Sequence, residues 1–208
     1  MFGNCKRLCR LLGLCFDIGG LTGDLPVADI GCADGDFSFL LSAMGCPVHA
    51  FDNPGTNCNR MTGVFELKGA LASPVEVRAV DIDRETSLPG GHQYGLAFFM
   101  GTLYHVKNPF HVLELIREQA QNCILSTRIA QTTPDRLTRI EGSPLAYLLD
   151  ARECNDDVTN YWIFGYQGLL RLLSRCGWRV CAAYRHGTRR DSDPARADER
   201  VHLHVVRA

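Results

Sequence analysis

Val27-Ala28-Asp29-Ile30-Gly31-Cys32-Ala33-Asp34-Gly35 is the stretch that decides the fold of this chain. Its first four residues predict a short buried strand, and Gly31 and Gly35 follow in a turn of small residues. Glycine permits backbone angles and close approaches that a Cβ atom would block, so a ligand can lie against the main chain here. A strand and a glycine turn that lead into a helix are typical of the ligand-binding corner of an open α/β sheet. That helix is predicted to begin near Asp36, and its apolar face at helical spacing would be Phe37, Leu40, Leu41 and Met44.

An acidic residue stands two places before the first glycine, in the order Asp29-Ile30-Gly31-Cys32-Ala33-Asp34-Gly35. This order resembles the first motif, (D/E)-x-G-x-x-x-G, of class I S-adenosylmethionine-dependent methyltransferases. The resemblance implies an α/β fold of the Rossmann-like three-layer sandwich type. Its sheet would be seven-stranded and mainly parallel, in the order 3-2-1-4-5-7-6 with strand 7 antiparallel. The implied cofactor is S-adenosyl-L-methionine, and the turn residues implied to bind it are Asp29, Gly31, Cys32, Ala33 and Gly35.

The second and third predicted strands both end in a carboxylate. The second, residues 47–52, ends at Asp52, and an acidic residue about 20 positions beyond a glycine turn is well placed to bind both ribose hydroxyls. Alternatively, Asp52 and Asn53 only form a turn. The third, residues 75–80, ends at Asp81-Ile82, where the family supplies a side chain to the adenine amino group and an apolar contact to the ring. The further cofactor candidates are therefore Asp52, Asn53, Asp81 and Ile82.

The fourth predicted strand ends at Met100 and leads into Gly101-Thr102-Leu103-Tyr104-His105-Val106-Lys107-Asn108-Pro109. This segment resembles L-Y-H-(L/V)-x-x-P of the tRNA wobble-uridine methyltransferase group and its small-molecule relatives. The resemblance implies that Met100 and Gly101 lie beside the methionine end of the cofactor. Tyr104 and His105 are the catalytic candidates, with His105 as the base because neutral imidazole is available near physiological pH. Alternatively, His105 only hydrogen-bonds backbone and fixes the loop.

Residues 130–165 show poor periodicity and contain a dense polar stretch, and we interpret them as an insertion that builds the substrate pocket. Thr159-Asn160-Tyr161-Trp162 within it resembles the T-N-W-W stretch of the wobble-uridine group. Aromatic walls with a few fixed polar groups are typical of ligand pockets. The alternative is a surface loop whose Asn and Asp side chains hydrogen-bond their own backbone. The substrate-binding candidates, including one that follows the fifth strand, are Arg128, Glu153, Asn155, Asn160 and Trp162.

The remaining elements continue the alternation of helices and buried strands, which favours a mainly parallel sheet covered on both faces. Further helices are predicted over residues 59–71, 110–121 and 166–176, and the last three strands over 123–127, 178–184 and 201–206. The last two strands can pair as a hairpin. The arginine-rich segment 185–200 between them is interpreted as a solvated loop, with a nucleic-acid patch as the alternative.

The composition and net charge of the chain limit the classes of partner that we expect. A chain of 208 residues with 46% hydrophobic content predicts a single methyltransferase domain over residues 1–208, with residues 1–24 as an N-terminal cap. The formal net charge of -1 gives no general attraction to nucleic acid or to membranes. The tRNA-acting relatives normally carry an additional N-terminal region, and this chain begins almost directly at the predicted catalytic domain. We therefore favour a small-molecule or sugar- or lipid-linked acceptor over tRNA.

Two other function classes stay open at this point. A NAD-dependent oxidoreductase could use the same corner of the sheet, although the turn lacks G-x-G-x-x-G because Ala33 and Asp34 occupy its middle. A non-catalytic binding module is also compatible with the fold, since fold does not fix function. No apolar run approaches the roughly 20 residues that span a bilayer, and no signal peptide is recognised, so a cytoplasmic protein is expected. The oligomeric state is left open.

The ten cysteines contain no C-x-x-C pair, so we expect reduced thiols and no metal site. The segment 4–16 is amphipathic, and it is predicted to be either a helix packed on the edge of the domain or a cap over the substrate pocket. It contains Cys5, Cys9 and Cys15. The cysteines expected to lie in or beside strands and helices as small buried hydrophobes are Cys32, Cys46, Cys123, Cys176 and Cys181.

Overall fold

The computed structural model describes residues 17–188, 190–196 and 198–208, and it contains nine strands and five α-helices within them. The predictions for residues 4–16, including Cys5, Cys9 and Cys15, lie outside the described residues. The strands are β1 Val27–Ile30, β2 Val48–Asp52, β3 Glu76–Ala79, β4 Tyr94–Met100, β5 Ala120–Ile129, β6 Ala146–Leu148, β7 Trp162–Phe164, β8 Trp178–Gly187 and β9 Glu199–Arg207. The helices are α1 Ile18–Thr22, α2 Asp36–Ala43, α3 Thr62–Ala70, α4 Pro109–Gln119 and α5 Tyr166–Arg175, with a 3₁₀ turn at Leu103–His105.

All nine strands belong to one mixed sheet. The first five run parallel in the spatial order 3-2-1-4-5. β9 runs antiparallel beside β5, and β8 runs antiparallel beside β9. With β8 and β9 counted as the sixth and seventh main strands, the predicted order 3-2-1-4-5-7-6 is confirmed.

The sheet has nine strands rather than the predicted seven because two strands of three residues lie in the segment 130–165. Ile129 at the end of β5 pairs in parallel with Phe164 of β7, and β6 pairs antiparallel with β7. A strand of three residues is too short to show the alternation from which strands are predicted. The insertion is therefore attached to the main sheet at its carboxyl edge.

The strand β4 shows how the sheet is covered on both faces. Successive side chains of a strand point to opposite faces. Phe98 belongs to a buried cluster that includes Leu41 of α2, whereas Phe99 belongs to a second cluster that includes Ile116 of α4 and Leu169 of α5. The two clusters lie on opposite sides of the sheet, which confirms the predicted three-layer arrangement.

The buried face of α2 differs from the prediction. Its buried residues are Ser38, Phe39 and Leu41, whereas Met44 lies past the helix end and is exposed. The hydroxyl of Ser38 donates to the buried carboxylate of Asp29 at 2.5 Å, and this polar contact turns the helix so that Ser38 faces the sheet. Apolar spacing alone cannot reveal that rotation, because the buried residue that sets it is polar.

The helix α1 packs at the amino-terminal ends of the central strands. The amide of Asn122 donates to Leu21 O at 3.1 Å, and a Cβ atom at Gly95 would overlap the backbone of Thr22. The described part of the predicted N-terminal cap therefore lies at the edge of the sheet opposite to its carboxyl ends. No helix in the described ranges is long and apolar enough to cross a membrane.

Of the cysteines in the described ranges that were predicted to be buried, some are buried and others are not. Cys32, Cys123 and Cys176 are buried, and Cys46 is half-buried. Cys181 is exposed, contrary to the prediction, because it lies on β8 at the edge of the sheet.

A buried glutamate anchors the segment 185–200. Glu199 is fully buried, and one of its carboxylate oxygens lies 2.7 Å from Arg185 Nη2. The other oxygen accepts from Ser192 Oγ at 2.7 Å and from Gln131 Nε2 at 3.1 Å. The prediction of a solvated loop is therefore wrong for Ser192 and Glu199, because a buried charge requires these partners around it.

We expect Glu199→Ala to lower the free energy of unfolding by about 3 kcal/mol or more, because it removes the buried carboxylate that pairs with Arg185 and accepts from Ser192 and Gln131. Urea denaturation measures the change. Glu76→Ala is the matched control, since Glu76 pairs with Arg78 at the protein surface and exposed pairs contribute little. Equal small effects at both positions would contradict an anchoring role for Glu199.

Candidate functional site

A cavity of about 460 Å³ opens at the carboxyl ends of β1 and β2, beside the segments that follow β3 and β4. Ligands of open α/β sheets bind at this edge, and the volume is that of a small-molecule pocket. Its walls bring together residues from five separate parts of the sequence. The predicted site residues among them are Gly31, Asp52, Asn53, Asp81, Ile82 and His105.

The glycine turn forms one wall of the cavity with its main chain. Gly31 has φ +74°, and a Cβ atom there would overlap the side chain of Thr102. Gly35 has φ +88°, and a Cβ atom there would lie 2.6 Å from the ring of Phe39. Gly31 thus lines the cavity with its main chain and leaves room for the Thr102 side chain, whereas Gly35 permits the packing of α2 behind it. Cys32 is buried, and burial raises the pKa of its thiol.

Asp29 lies behind the turn and not on the cavity wall. It is 2% exposed, and its carboxylate is held by Ser38 at the start of α2. Burial raises the pKa of Asp29 to about 6. The structure thus gives the acidic residue of the motif a contact that joins β1 to α2.

Asp52 lies on the cavity wall and is also tied to the glycine turn. One carboxylate oxygen accepts from Ala33 N at 2.7 Å and from Asn57 Nδ2 at 3.0 Å, and the other accepts from Asn53 N at 2.7 Å. The side chain of Asn53 caps Gly55 N at 2.8 Å. Asp52 therefore forms the turn and faces the cavity at once, so the two interpretations of this residue do not exclude each other.

Asp81 and Ile82 line the cavity where the chain leaves β3, and Asp81 lies 3.1 Å from Arg84. The neighbouring Asp83 was missed as a site residue. Its carboxylate accepts from the backbone N–H groups of Lys107 and Asn108 at 3.0 Å and so joins this loop to the segment after β4. No sequence signal could have found this contact, because it spans more than 20 residues of chain.

His105 lines the cavity from the 3₁₀ turn. Its Nδ1 lies 3.0 Å from Thr159 Oγ1 and 3.2 Å from Thr159 O, and burial lowers the pKa of the imidazole. The ring of Tyr104 packs on it with ring centroids 4.2 Å apart, and Tyr104 Oη accepts from Arg200 Nη1 at 3.5 Å. Tyr104 itself is buried behind the cavity wall.

The two residues at the end of β4 also lie off the cavity wall. Met100 is the last residue of the strand, and Gly101 donates its N–H to Ser126 Oγ at 2.9 Å. A Cβ atom at Gly101 would meet Arg200 Nη1 and Tyr104 Oη at 3.9 Å. These two residues therefore join the ends of β4 and β5.

Tyr161 and Trp162 face different cavities. Tyr161 lines the 460 Å³ cavity, whereas Trp162 lines a second cavity of about 580 Å³ between the start of α4 and α5. The alternation of side chains at the start of β7 separates them. Trp162 Nε1 donates to Lys107 O at 3.3 Å. Tyr161 was missed as a site residue, because β7 is too short for its alternation to be recognised in the sequence.

The other four substrate candidates do not line the first cavity. Arg128 is buried in an ion pair with Asp198 at 2.7 Å, and it also contacts Cys154 Sγ. The remaining three make contacts within the insertion. Glu153 accepts from Tyr147 Oη at 2.7 Å, the exposed Asn155 has φ +58°, and the buried Asn160 donates to Cys154 O at 2.8 Å.

The insertion encloses a small core of its own and is not merely a surface loop. Tyr104, Ile140, Leu149, Cys154 and Ile163 form one buried cluster. Some of its polar side chains also hydrogen-bond their own backbone, as the alternative interpretation predicts. The segment therefore contains both a buried core and side chains that hydrogen-bond their own backbone, and its role in a substrate pocket stays a prediction.

Comparison with known proteins shows the fold. No protein-family model matches the chain, and no curated protein matches it. The N-terminal domain of EvdMO1 with SAH bound is 18% identical with a TM-score of 0.61, covering 92% of this chain and 78% of that one. Magnesium protoporphyrin IX methyltransferase (ChlM) from Synechocystis PCC 6803 with bound SAM is 17% identical with a TM-score of 0.60, covering 99% and 79%.

The cyclase SpnF also has this fold, with 12% identity, a TM-score of 0.64 and coverage of 97% of this chain and 80% of that one. The fold of the chain is thus that of S-adenosylmethionine-dependent methyltransferases, and the solved structures of the EvdMO1 domain and ChlM hold SAH and SAM. The resemblance to the wobble-uridine group stays a prediction. Because one protein of the same fold is named a cyclase, the fold alone does not fix the reaction.

Ala33 provides a test of the turn, because its φ of +51° is a left-handed conformation that costs a residue with a Cβ atom about 1–2 kcal/mol. We expect Ala33→Gly to raise the free energy of unfolding by up to about 1 kcal/mol, since the extra freedom of unfolded glycine offsets part of the gain. Urea denaturation measures it. The control is Ala43→Gly at an exposed position of α2, which should be destabilising. A loss of stability at both positions would show that Ala33 is not strained.

Proposed function

We propose that this protein binds S-adenosylmethionine and transfers its methyl group to a small-molecule or sugar- or lipid-linked acceptor. The observation that carries the proposal is the cavity at the carboxyl edge of the sheet. This cavity is lined by the main chain of Gly31, by the carboxylate of Asp52 and by Asp81-Ile82. These are the positions at which the first motif, the ribose contact and the adenine contact were predicted from the sequence.

The residues present fit the cofactor. Gly31 has no side chain and lines the cavity with its main chain, and the Thr102 side chain packs against it and lines the cavity as well. Oδ2 of Asp52 already accepts two hydrogen bonds and Oδ1 accepts one, so Oδ1 keeps a lone pair that a ribose hydroxyl would use. Asp81 would accept from the adenine amino group, with Ile82 and the buried Val80 against the ring.

When bound, S-adenosylmethionine supplies an electrophilic methyl group on a sulfonium. The protein would then act mainly by holding the acceptor in line with that methyl group and by excluding water. His105 would accept the proton that the acceptor loses, because its imidazole lies on the cavity wall and burial lowers its pKa, which keeps it neutral. Tyr104 supports the His105 ring from behind.

The net charge of -1 supports a small acceptor over tRNA, since neutralisation of phosphates supplies much of the affinity for nucleic acid. The structural neighbour named magnesium protoporphyrin IX methyltransferase acts on a small molecule, which agrees with that choice. The glycine turn without G-x-G-x-x-G weighs against a NAD-dependent oxidoreductase.

Calorimetry with S-adenosylmethionine, S-adenosylhomocysteine and NAD tests the proposal. We expect the first two to bind and NAD not to bind. Asp52→Ala should weaken S-adenosylmethionine binding by about 2 kcal/mol, because a hydrogen bond to a charged group contributes roughly 1.5–3 kcal/mol. The control is Asp24→Ala, which removes an exposed carboxylate outside the cavity. Binding of NAD alone would favour the NAD-dependent oxidoreductase, and binding of none of the three would contradict the proposal.

His105→Ala should lower turnover by about 10²–10⁴-fold and leave S-adenosylmethionine affinity nearly unchanged. Because burial lowers the pKa of His105, the parent should keep its rate until the pH falls below the usual imidazole value of about 6.5. Below that point protonation removes the accepting lone pair and the rate should fall.

The assay would use an acceptor found by screening small-molecule pools with methyl-labelled S-adenosylmethionine. His92→Ala, at an exposed histidine outside the cavity, is the control. If His105→Ala keeps the parent rate and the same acid limb, His105 is not the base.

A further inference from the structure

The tip of the insertion contacts the catalytic candidate through a chain of hydrogen bonds. Asp157 Oδ1 accepts from both the hydroxyl of Thr159, at 2.7 Å, and its N–H, at 2.8 Å. Thr159 Oγ1 and Thr159 O in turn face His105 Nδ1 at 3.0 Å and 3.2 Å. These contacts join residues that are 54 positions apart in the chain.

The direction of each hydrogen bond follows from the chemistry of its partners. An ionised carboxylate only accepts, so the hydroxyl proton of Thr159 points to Asp157. A backbone carbonyl also only accepts, so both oxygens of Thr159 can serve only as acceptors towards the ring. The proton must therefore lie on His105 Nδ1, which leaves the lone pair of a neutral ring on Nε2.

We propose, on the basis of the function proposed above, that Asp157 and Thr159 are positioning residues that hold His105 in the Nδ1–H tautomer with Nε2 free for the acceptor. The two interpretations of His105 are then combined, because one ring nitrogen fixes the loop while the other accepts the proton. Within the described ranges, no protein hydrogen bond involves Nε2.

The proton transfer balances in this arrangement. Nε2 takes the proton of the acceptor, whose freed electron pair forms the new bond to the methyl carbon. The carbon–sulfur bond breaks and its electron pair remains on sulfur. The ring then carries a positive charge with both nitrogens protonated, and Asp157, joined through Thr159, supplies the opposing negative charge.

Some groups around the His105 ring lower its pKa, and others raise it. Burial lowers the pKa of His105, and so does the guanidinium of Arg200. The hydrogen bond to Thr159 and the carboxylates of Asp157 and Asp52 raise it. Removal of the Asp157 charge should therefore make His105 harder to protonate.

The first experiment reads the tautomer directly and needs no cofactor or acceptor. In ¹⁵N-histidine-labelled full-length protein at mildly basic pH, the ring signals of His105 are assigned by their loss in His105→Gln. We expect the ¹⁵N shifts of an Nδ1–H, unprotonated Nε2 ring. A proton on Nε2 in the parent protein overturns the proposal.

The second experiment follows the protonation midpoint of His105 by the same signals. The midpoint should fall in Asp157→Asn and in the nearly isosteric Thr159→Val, and Thr159→Ser should restore the parent value. Asp156→Asn is the matched control, since the Asp156 side chain is 81% exposed and pairs with Arg152 at 3.8 Å. An unchanged midpoint in both Asp157→Asn and Thr159→Val, or the same fall in Asp156→Asn, contradicts the coupling.

Kinetics then distinguishes positioning from a purely structural role. With an identified acceptor, Thr159→Val should lower kcat about 10-fold, part of the 10²–10⁴-fold that a base contributes, and leave KM and cofactor affinity near the parent values. Thr159→Ser should recover most of the rate. Equal losses in kcat and cofactor affinity would indicate a structural role. Failure of S-adenosylmethionine binding in the parent would overturn the proposed function, whereas the tautomer result stands independently of it.

Discussion

The carboxyl edge of the sheet depends on the absence of a side chain at Gly31. The backbone there is left-handed, and a Cβ atom would overlap Thr102 beyond the end of β4. On the other side, Gly31 N donates to Phe51 O near the end of β2 at 2.8 Å. Directly after β1, the chain therefore contacts residues at the carboxyl ends of both neighbouring strands, β2 and β4. Main-chain groups form this wall of the cavity, and the space in front of them stays open to a ligand.

Two carboxylates lie on opposite sides of this turn and differ in their environment. Asp29 is buried behind it with one hydroxyl donor, and burial raises its pKa to about 6, because a charged carboxylate is costly away from water. Asp52 lies on the cavity side and accepts from Ala33, Asn53 and Asn57. These hydrogen bonds hold the Asp52 carboxylate in a fixed position on the cavity wall. Asp29 is thus a structural carboxyl behind the turn, whereas Asp52 is the carboxyl that lines the cavity.

The sheet and the glycine turn could be predicted because their signals are local in the sequence. The rotation of α2 could not, since a polar contact of Ser38 and not the apolar spacing sets it. Several residues that line the first cavity were also predictable, because the carboxyl ends of parallel strands meet at one edge of the sheet. The orientation of the insertion was not, since contacts such as Thr159 to His105 join distant residues. Trp162, predicted for the substrate pocket, lines the other cavity for the same reason.

The contacts of the insertion have a consequence for selectivity. Tyr161 N donates to Tyr104 O at 2.8 Å and the Trp162 indole donates to Lys107 O, so the insertion is held on both sides of His105. A displacement of this segment that widens the cavity therefore also moves Thr159 relative to the imidazole. Under the proposed function, the fit of the acceptor in the cavity and the orientation of the His105 ring are therefore coupled through this segment. With a poorly fitting acceptor, the Nε2 lone pair of His105 is then misaligned with the proton that it has to accept. Selectivity between acceptors should therefore lower kcat as well as raise KM for the poorer one, since alignment acts in the transition state.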